Sequence, residues 1–286
     1  MQRTLATVAT TLLAAALVAA AAAAFIVLGG LYDVGATVQH TQPVYSLLET
    51  AMKQSVRVRA AGITPPALPA ALTLQRGAAC YRDQCVQCHG APGIAPGPVG
   101  MSMLPLPGPL LDAGRHWHLR ELYWITRHGI RMTGMPSWGM RLSDQDIWAV
   151  AGFVEQMPRW SPQDYAAHVE NAAMVDCALP TRAAGATAAP PADLSPDRQT
   201  RLVLRQYACV SCHRIPGMTG SDVHVGPPLE GLARRALIAG RLPNTPEHLV
   251  QWIRTPQAVK PGTAMPDLGV SEEHARLMAA YLSRLY

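Results

Sequence analysis

Lysine and phenylalanine are scarce in this chain of 286 residues. Lys53 and Lys260 are the only lysines, and Phe25 and Phe153 are the only phenylalanines. Arginine supplies nearly all of the positive charge, and the formal net charge of +5 is spread along the chain instead of being gathered in a basic run. This distribution argues against a nucleic-acid-binding protein. The hydrophobic share is inflated by alanine, so a core made of protein side chains alone would be thin.

Two short segments carry the same pattern of cysteine and histidine. Residues 85–89 read Cys-Val-Gln-Cys-His, and residues 209–213 read Cys-Val-Ser-Cys-His. Two cysteines separated by two residues and followed at once by histidine are the attachment signature of c-type haem. We therefore predict two covalently bound haem c groups, whose porphyrins add the missing apolar volume. The predicted thioether residues are Cys85, Cys88, Cys209 and Cys212, and the predicted iron ligands are His89 and His213.

A methionine in a proline-containing turn follows each haem motif. Met135 and Met265 each stand directly before a proline. A low-spin electron carrier takes a sixth iron ligand opposite histidine, and a thioether raises its potential. We predict Met135 and Met265 as these ligands. The competing methionines are Met101, Met103 and Met132 for the first iron, and Met218 and Met278 for the second.

Prolines after each motif predict a hydrogen bond to the iron-ligating histidine. Residues 108–111 read Gly-Pro-Leu-Leu, and residues 226–229 read Gly-Pro-Pro-Leu. In each segment a backbone carbonyl can accept from the free ring nitrogen of the histidine. Such a bond fixes the plane of a metal ligand.

The two copies share one order of elements, which predicts tandem domains. The distance from cysteine to methionine is 50 positions in the first copy (135 minus 85) and 56 in the second (265 minus 209). A serine-capped helix follows each methionine, and Ser143 with Asp146 matches a capping box. We expect an all-α fold with haem domains at 69–158 and 195–286. The linker at 159–194 is expected to begin with a short helix and to become rich in alanine and proline over 178–194.

The N-terminal segment predicts a membrane anchor. No charged residue lies between Arg3 and Asp33, and about 20 apolar residues suffice to cross a bilayer. A cleaved signal peptide is the alternative, although its apolar region is about 7–15 residues long. We predict an anchor over 1–32, followed by a helix and a proline-rich arm over 33–68. Arg3 puts the N-terminus in the cytoplasm, so both haem domains are expected on the periplasmic side of a bacterial inner membrane.

The order of haem motif, Gly-Pro-x-Leu, Met-Pro and terminal helix resembles the class I cytochrome c fold in both copies. Residues 242–262 look like the cytochrome c domain fused to subunit two of some haem-copper oxidases. The first copy, through residues 128–139, resembles membrane-anchored monohaem cytochromes found with terminal oxidases. The chain departs from the subunit-two family because it lacks the cysteine and histidine set of a binuclear copper centre. The resemblance implies that the protein delivers electrons to such a centre without containing one.

These features predict an electron-transfer protein of a respiratory chain and not an enzyme, with no catalytic residue. We expect it to pass single electrons to a haem-copper terminal oxidase, as its subunit or its donor, or to another membrane redox complex. One alternative is the cytochrome subunit of a periplasmic dehydrogenase. Another is a dihaem peroxidase, which needs an open sixth position on one iron that Met135 and Met265 would fill.

Cys80 and Cys177 lie outside the two haem motifs. The spacing of Cys80, Cys85 and Cys88, with Cys177 as a distant fourth, also matches a plant-type iron–sulfur site. His89 and the absence of a counterpart to Cys80 in the second copy oppose that reading. In an oxidising compartment Cys80 and Cys177 can form a disulfide, and two free buried thiols are the alternative.

Sequencing the N-terminus of the mature protein tests the anchor. We expect the chain to keep its apolar segment, because the uncharged run is longer than a signal peptide requires. A mature start beyond residue 25 would show that the segment is removed.

Overall fold

The computed structural model describes residues 2–67, 70–177, 194–220 and 225–286. The described part of the chain is mostly helical, with nine longer helices. They are α1 Gln2–Leu28, α2 Gln42–Ala60, α3 Ala70–Cys80, α4 Leu119–His128, α5 Asp144–Gln156, α6 Pro162–Asn171, α7 Pro196–Gln206, α8 Pro246–Arg254 and α9 Glu272–Leu282. The alanine- and proline-rich part of the predicted linker, at 178–193, lies outside the described residues.

Helix α1 is long and apolar enough to cross a membrane. Within the span Arg3–Leu28, an 18-residue window has a mean hydropathy of 2.6, and none of this window is buried inside the protein. At 27 residues the helix is about 40 Å long, which exceeds the hydrocarbon core. Length and composition therefore make α1 a candidate membrane span, as the sequence predicts, although a signal sequence meets the same criteria.

Helices α3 and α5 pack closely and form the centre of a first hydrophobic cluster. A Cβ at Gly77 would lie 2.7 Å from the Cβ of Phe153, so glycine permits this close approach. Phe153 is completely buried and contacts the rings of Tyr81, Trp160 and Tyr165. One of the two phenylalanines thus lies at the centre of an aromatic cluster that stiffens a small core.

Helix α2 packs against α4 through its C-terminal half. Val56 and Ala60 are buried there, whereas Val44, Leu47 and Leu48 on the N-terminal half are exposed. The helix that the sequence predicts within residues 33–68 is present, with bounds Gln42–Ala60. It is therefore attached to the first cluster and is more than a spacer after the N-terminal segment.

A strap formed by residues 172–177 holds the end of α3 and the residues just after it from the side. Cys80 and Cys177 form a disulfide with a Cα–Cα distance of 4.8 Å, and both residues are completely buried. The side chain of Asp83 accepts from the backbone N–H of Cys177 at 3.2 Å, and Gln84 donates to the carbonyl of Cys177 at 3.0 Å. Of the alternatives that the sequence left open, the disulfide is the one that the structure contains.

The same disulfide bears on the iron–sulfur reading. It consumes Cys80 and Cys177, which are two of the four thiolates that such a cluster would need. Within the described ranges, no group of three or more cysteine, histidine or acidic side chains is arranged to hold a metal ion. The iron–sulfur alternative is therefore wrong.

A second hydrophobic cluster is built from α7, α8 and α9, with α9 packed against both other helices. It includes the fully buried Val203, Leu204 and Met278. Ser271 caps α9 by accepting from the backbone N–H of His274 at 3.2 Å, and Ser143 caps α5 by accepting from that of Asp146 at 3.1 Å. Both serine caps that the sequence predicts are confirmed.

A small antiparallel hairpin corrects the all-α expectation. Strand β1 Leu237–Ile238 pairs with strand β2 Leu242–Pro243. Ala239 and Gly240 in the connecting turn both have positive φ, at 51° and 71°, and the backbone N–H of Arg241 donates to Ile238 at 2.9 Å. Two left-handed central residues make a turn of the I′ kind, whose twist suits a hairpin. Over the described residues the fold is therefore mostly helical, with a two-stranded sheet and an isolated bridge between Ala91 and Ile94.

An ion pair between α3 and α5 is expected to stabilise the packing of these two helices. The Nε of Arg76 lies 2.5 Å from Oδ1 of Asp146. Burial acts to raise the pKa of Asp146, but hydrogen bonds from Arg76 and Ser143 outweigh it and the net pKa is lowered. The carboxylate therefore contributes stability above its ordinary pKa of about 3.9 and loses it as the pH falls through the lower folded value.

We expect Asp146→Asn to lower the free energy of unfolding by about 1 kcal/mol at pH 7, a modest value because the Arg76 side chain remains partly exposed and its charge is screened. The difference from the unmodified protein should shrink as the pH falls below about 4. Thermal unfolding followed by circular dichroism between pH 7 and pH 3 measures it. Asp197→Asn, which removes a solvent-exposed pair with Arg284, is the matched control and should have a smaller effect. An equal loss at every pH would contradict the assignment.

Candidate functional site

The first cysteine-histidine motif lies on a continuous helical segment. Helix α3 passes into a π-helical turn at Tyr81–Cys85 and then into an α-helical turn at Val86–His89. Gly90 ends the segment with φ of 65°, and a Cβ there would lie 2.6 Å from the carbonyl of Ile94. Cys85 and Cys88 are three residues apart on one helical face. A helix thus leads into the motif, with a π turn that the sequence pattern does not reveal.

The imidazole of His89 is oriented by a backbone carbonyl. Its Nδ1 lies 2.8 Å from the carbonyl oxygen of Gly108. A carbonyl can only accept, so Nδ1 carries the proton and Nε2 keeps its lone pair. Burial lowers the pKa of His89, while the hydrogen bond to Gly108 opposes the shift. The side chain is therefore neutral at neutral pH, which is the form that binds a metal.

The second motif has a different backbone but the same histidine contact. Helix α7 ends at Gln206, Ala208 is left-handed with φ of 55°, and Cys209–Ser211 forms a 3-10 turn. The helix does not continue through the second motif, because the left-handed residue interrupts the helical hydrogen bonds. Nevertheless, Nδ1 of His213 lies 2.7 Å from the carbonyl oxygen of Pro227.

Both predicted histidine-to-carbonyl hydrogen bonds are thus present. In each case the acceptor residue directly precedes a proline, at Gly108-Pro109 and at Pro227-Pro228. In the second site a Cβ at Gly226 would lie 2.7 Å from Nδ1 of His213. Glycine is therefore needed where the loop passes the imidazole ring.

The four motif cysteines remain available for covalent attachment. Cys85, Cys88, Cys209 and Cys212 are free thiols, whereas Cys80 is held in its disulfide. Burial raises the pKa of Cys85 to about 12 and that of Cys209 to about 11. Both are thus protonated at neutral pH. Two thiols beside a histidine whose Nδ1 faces a backbone carbonyl fit the donor set of a c-type haem in each motif.

Met135 lies in the loop that follows α4 and is partly buried. Its backbone N–H donates to Oγ1 of Thr133 at 3.1 Å, and its carbonyl accepts from Ile130 at 3.2 Å. Met132, the nearby competitor, has a side chain that is 91% exposed. Met103 lies against Gly134, where a Cβ would collide with its sulfur. Met103 is therefore next to the predicted ligand, a proximity that spacing along the chain does not reveal.

Met265 lies in a loop that Gln257 holds together. Nε2 of Gln257 donates to the carbonyls of Met265 and Thr263, each at 2.8 Å, and its Oε1 accepts from the backbone N–H of Gly262 at 3.2 Å. Of the competitors, Met278 is 1% exposed within the second hydrophobic cluster. Sequence reasoning assigned no role to Gln257, because nothing in its spacing from Met265 indicates a hydrogen bond.

Two comparisons with known proteins agree with this chemistry. Residues 72–154 match the family model for "Cytochrome C oxidase, cbb3-type, subunit III". A segment of 88 residues is 40% identical to "Cytochrome c oxidase subunit 2" of Alkalihalophilus pseudofirmus, covering 30% of this chain and 25% of that protein. The chain thus matches about a quarter of the length of this relative. No solved structure matches the chain significantly.

The chain therefore contains a cytochrome c domain related to terminal-oxidase subunits over residues 72–154. This domain implies covalently bound haem c and a role in respiratory electron transport. It includes the first cysteine-histidine motif and Met135. The second motif lies outside the range matched by the family model.

The hydrogen bonds from Gln257 to the loop of Met265 allow the predicted role of Met265 as an iron ligand to be tested. We expect Gln257→Ala to loosen residues 262–265, because each lost hydrogen bond contributes about 1 kcal/mol. If Met265 ligates iron, the midpoint potential of one haem should fall, since methionine ligation raises it. A redox titration followed by absorption spectroscopy measures the shift.

Gln251→Ala, at an exposed glutamine of α8, is the matched control and should leave both potentials unchanged. Equal potentials and spectra in the unmodified protein and in Gln257→Ala would argue against Met265 as the ligand.

Proposed function

We propose that this protein is a membrane-anchored dihaem cytochrome c that transfers single electrons to a haem-copper terminal oxidase, as its subunit or its donor. The observation that carries the proposal is the repeated histidine contact. His89 and His213 each donate from Nδ1 to a carbonyl that precedes a proline, at 2.8 and 2.7 Å. Two equivalent settings for an iron ligand support two haem sites.

Four side chains have proposed roles in each haem site. The haem iron supplies the one-electron redox chemistry. In the first site Cys85 and Cys88 would hold the porphyrin, His89 would present Nε2 to the iron, and Met135 would complete the coordination. Cys209, Cys212, His213 and Met265 would have these roles in the second. Because both irons would be fully coordinated, the proposal assigns no catalytic residue to the chain.

The two hydrophobic clusters support a division into tandem haem domains. We assign residues 69–158 and 195–286 to these domains, and residues 159–194 to the linker. The first cluster gathers around α3 and α5, and the second around α7, α8 and α9. Each contains the helix that precedes its haem motif and the serine-capped helix that follows its methionine. This shared order supports a common class I cytochrome c architecture.

Membrane attachment and location follow from two features. We assign residues 1–32 to an anchor, because α1 is uncharged after Arg3 and none of its span is buried. The buried disulfide between Cys80 and Cys177 suits an oxidising compartment. Both features support a bacterial inner-membrane protein with its haem domains on the periplasmic side.

The oxidase is the proposed partner because both comparisons lead to oxidase subunits. That agreement favours an oxidase over a periplasmic dehydrogenase. We further propose that the second domain faces the oxidase, on the resemblance carried by residues 242–262. The first domain would then receive electrons from the donor.

Replacing His213 tests the path of electrons. We expect His213→Ala to remove the ligand of the second iron and leave the first haem attached. In isolated membranes, oxygen consumption driven by the native donor should fall close to background. His116→Ala, at an exposed histidine paired with Asp112, is the matched control and should retain the full rate. A full rate in His213→Ala would show that the second haem is not on the obligatory path.

A further inference from the structure

The two hydrophobic clusters are connected through residues 140–142 as well as through the linker. Met140 is 2% exposed and belongs to the second cluster, although its neighbours in the chain belong to the first domain. Leu142, two residues later, is 4% exposed and belongs to the first cluster. Residues 140–142 thus connect the two clusters directly, with Met140 in one and Leu142 in the other.

Arg141 adds two polar contacts to the same connection. Its Nη2 donates to the carbonyl of Gln206 at 2.8 Å. Gln206 is the last residue of α7, where the carbonyls lack helical partners and a positive charge is favourable. The guanidinium carbon of Arg141 also lies 5.5 Å from the centre of the Tyr207 ring, which is a cation–π distance.

Tyr207 places this contact beside the second haem motif. It is 5% exposed and stands two residues before Cys209. Its hydroxyl lies 3.2 Å from Nδ1 of the fully buried His274 on α9. Arg141 therefore contacts a residue that is itself fixed within the second core, and not a loose loop.

The other end of the connection is fixed to the first domain. Oγ of Ser137 and the backbone N–H of Gly139 both donate to the carbonyl of Arg127 on α4, at 2.8 and 2.9 Å. The backbone N–H of Leu142 donates to the carbonyl of Trp138 at 2.8 Å. The six steps from Met135 to Arg141 can extend over about 20 Å at most, and this turn shortens them.

We infer that Met140 and Arg141 form a joint that holds the second haem site at a set position against the loop carrying Met135, so that electrons pass between the two sites within one chain. This inference rests on the proposed function. One electron leaves the reduced site and enters the oxidised site, and no bond forms or breaks. Arg141 acts as a positioning residue, because its contacts are to Gln206 and Tyr207.

Intramolecular electron transfer in the full-length holoprotein tests the joint. One haem is reduced by a light pulse, and the transfer rate is measured in the unmodified protein, in Arg141→Ala and in Met140→Ser. We expect the rate to fall about tenfold in each variant, which corresponds to a loss of about 1.4 kcal/mol in docking free energy. Both midpoint potentials should stay unchanged, because the contacts of Arg141 are to Gln206 and Tyr207 and Met140 lies within the second hydrophobic cluster.

Two further substitutions sharpen the result. Arg141→Lys keeps the charge but loses the planar group that lies over Tyr207, so it should give an intermediate rate. Arg131→Ala, at an exposed arginine of the same loop, is the matched control and should transfer at the unmodified rate.

An unmodified rate in both Arg141→Ala and Met140→Ser would overturn the joint and leave the proposed function standing. A changed potential in both variants would assign these residues to a haem site and would also overturn the joint. An unmodified protein that binds a single haem would instead overturn the proposed function, on which the joint depends.

Discussion

Everything in this structure that bears on electron transfer depends on how an imidazole ring is held. A histidine that ligates iron must present one nitrogen and keep a constant ring plane. His89 and His213, the proposed ligands, are each oriented by one hydrogen bond, from Nδ1 to the carbonyls of Gly108 and Pro227. Proline follows both acceptors, and its fixed φ limits the freedom of the carbonyl before it. The contact survives although the two motifs have different backbones.

A second constraint is the small amount of bulky apolar side chain. The first domain compensates with an aromatic cluster around Phe153 and with a strap that is tied to the haem-bearing helix by the disulfide and by Asp83 and Gln84. These restraints act on the helical segment that ends at His89. The cost of a thin core is thus reduced where the position of the iron ligand matters most.

Residues 140–142 connect the two hydrophobic clusters. Two proposed haem sites joined by a flexible linker alone would vary in separation, because the ends of a flexible segment do so. Burial of Met140 in the second cluster and the contacts of Arg141 with Gln206 and Tyr207 restrict that freedom. The proposed relay would benefit from this restriction, since its two sites must stay at a workable separation.

The sequence alone predicted the features that depend on residues close together in the chain. The paired cysteines, the adjacent histidines, the carbonyl before proline and the serine caps each depend on residues a few positions apart, or on a loop with a fixed turn. Contacts between distant segments required the tertiary structure. Cys80 and Cys177 are 97 positions apart, and only the packing of α3 with the following strap decides that they pair. Likewise, the burial of Met140 in the second cluster follows from how the helices pack. The spacing of residues in the sequence determines which side chains meet along a helix or a turn. It does not determine which distant apolar surfaces pack together, because many such surfaces have a similar composition.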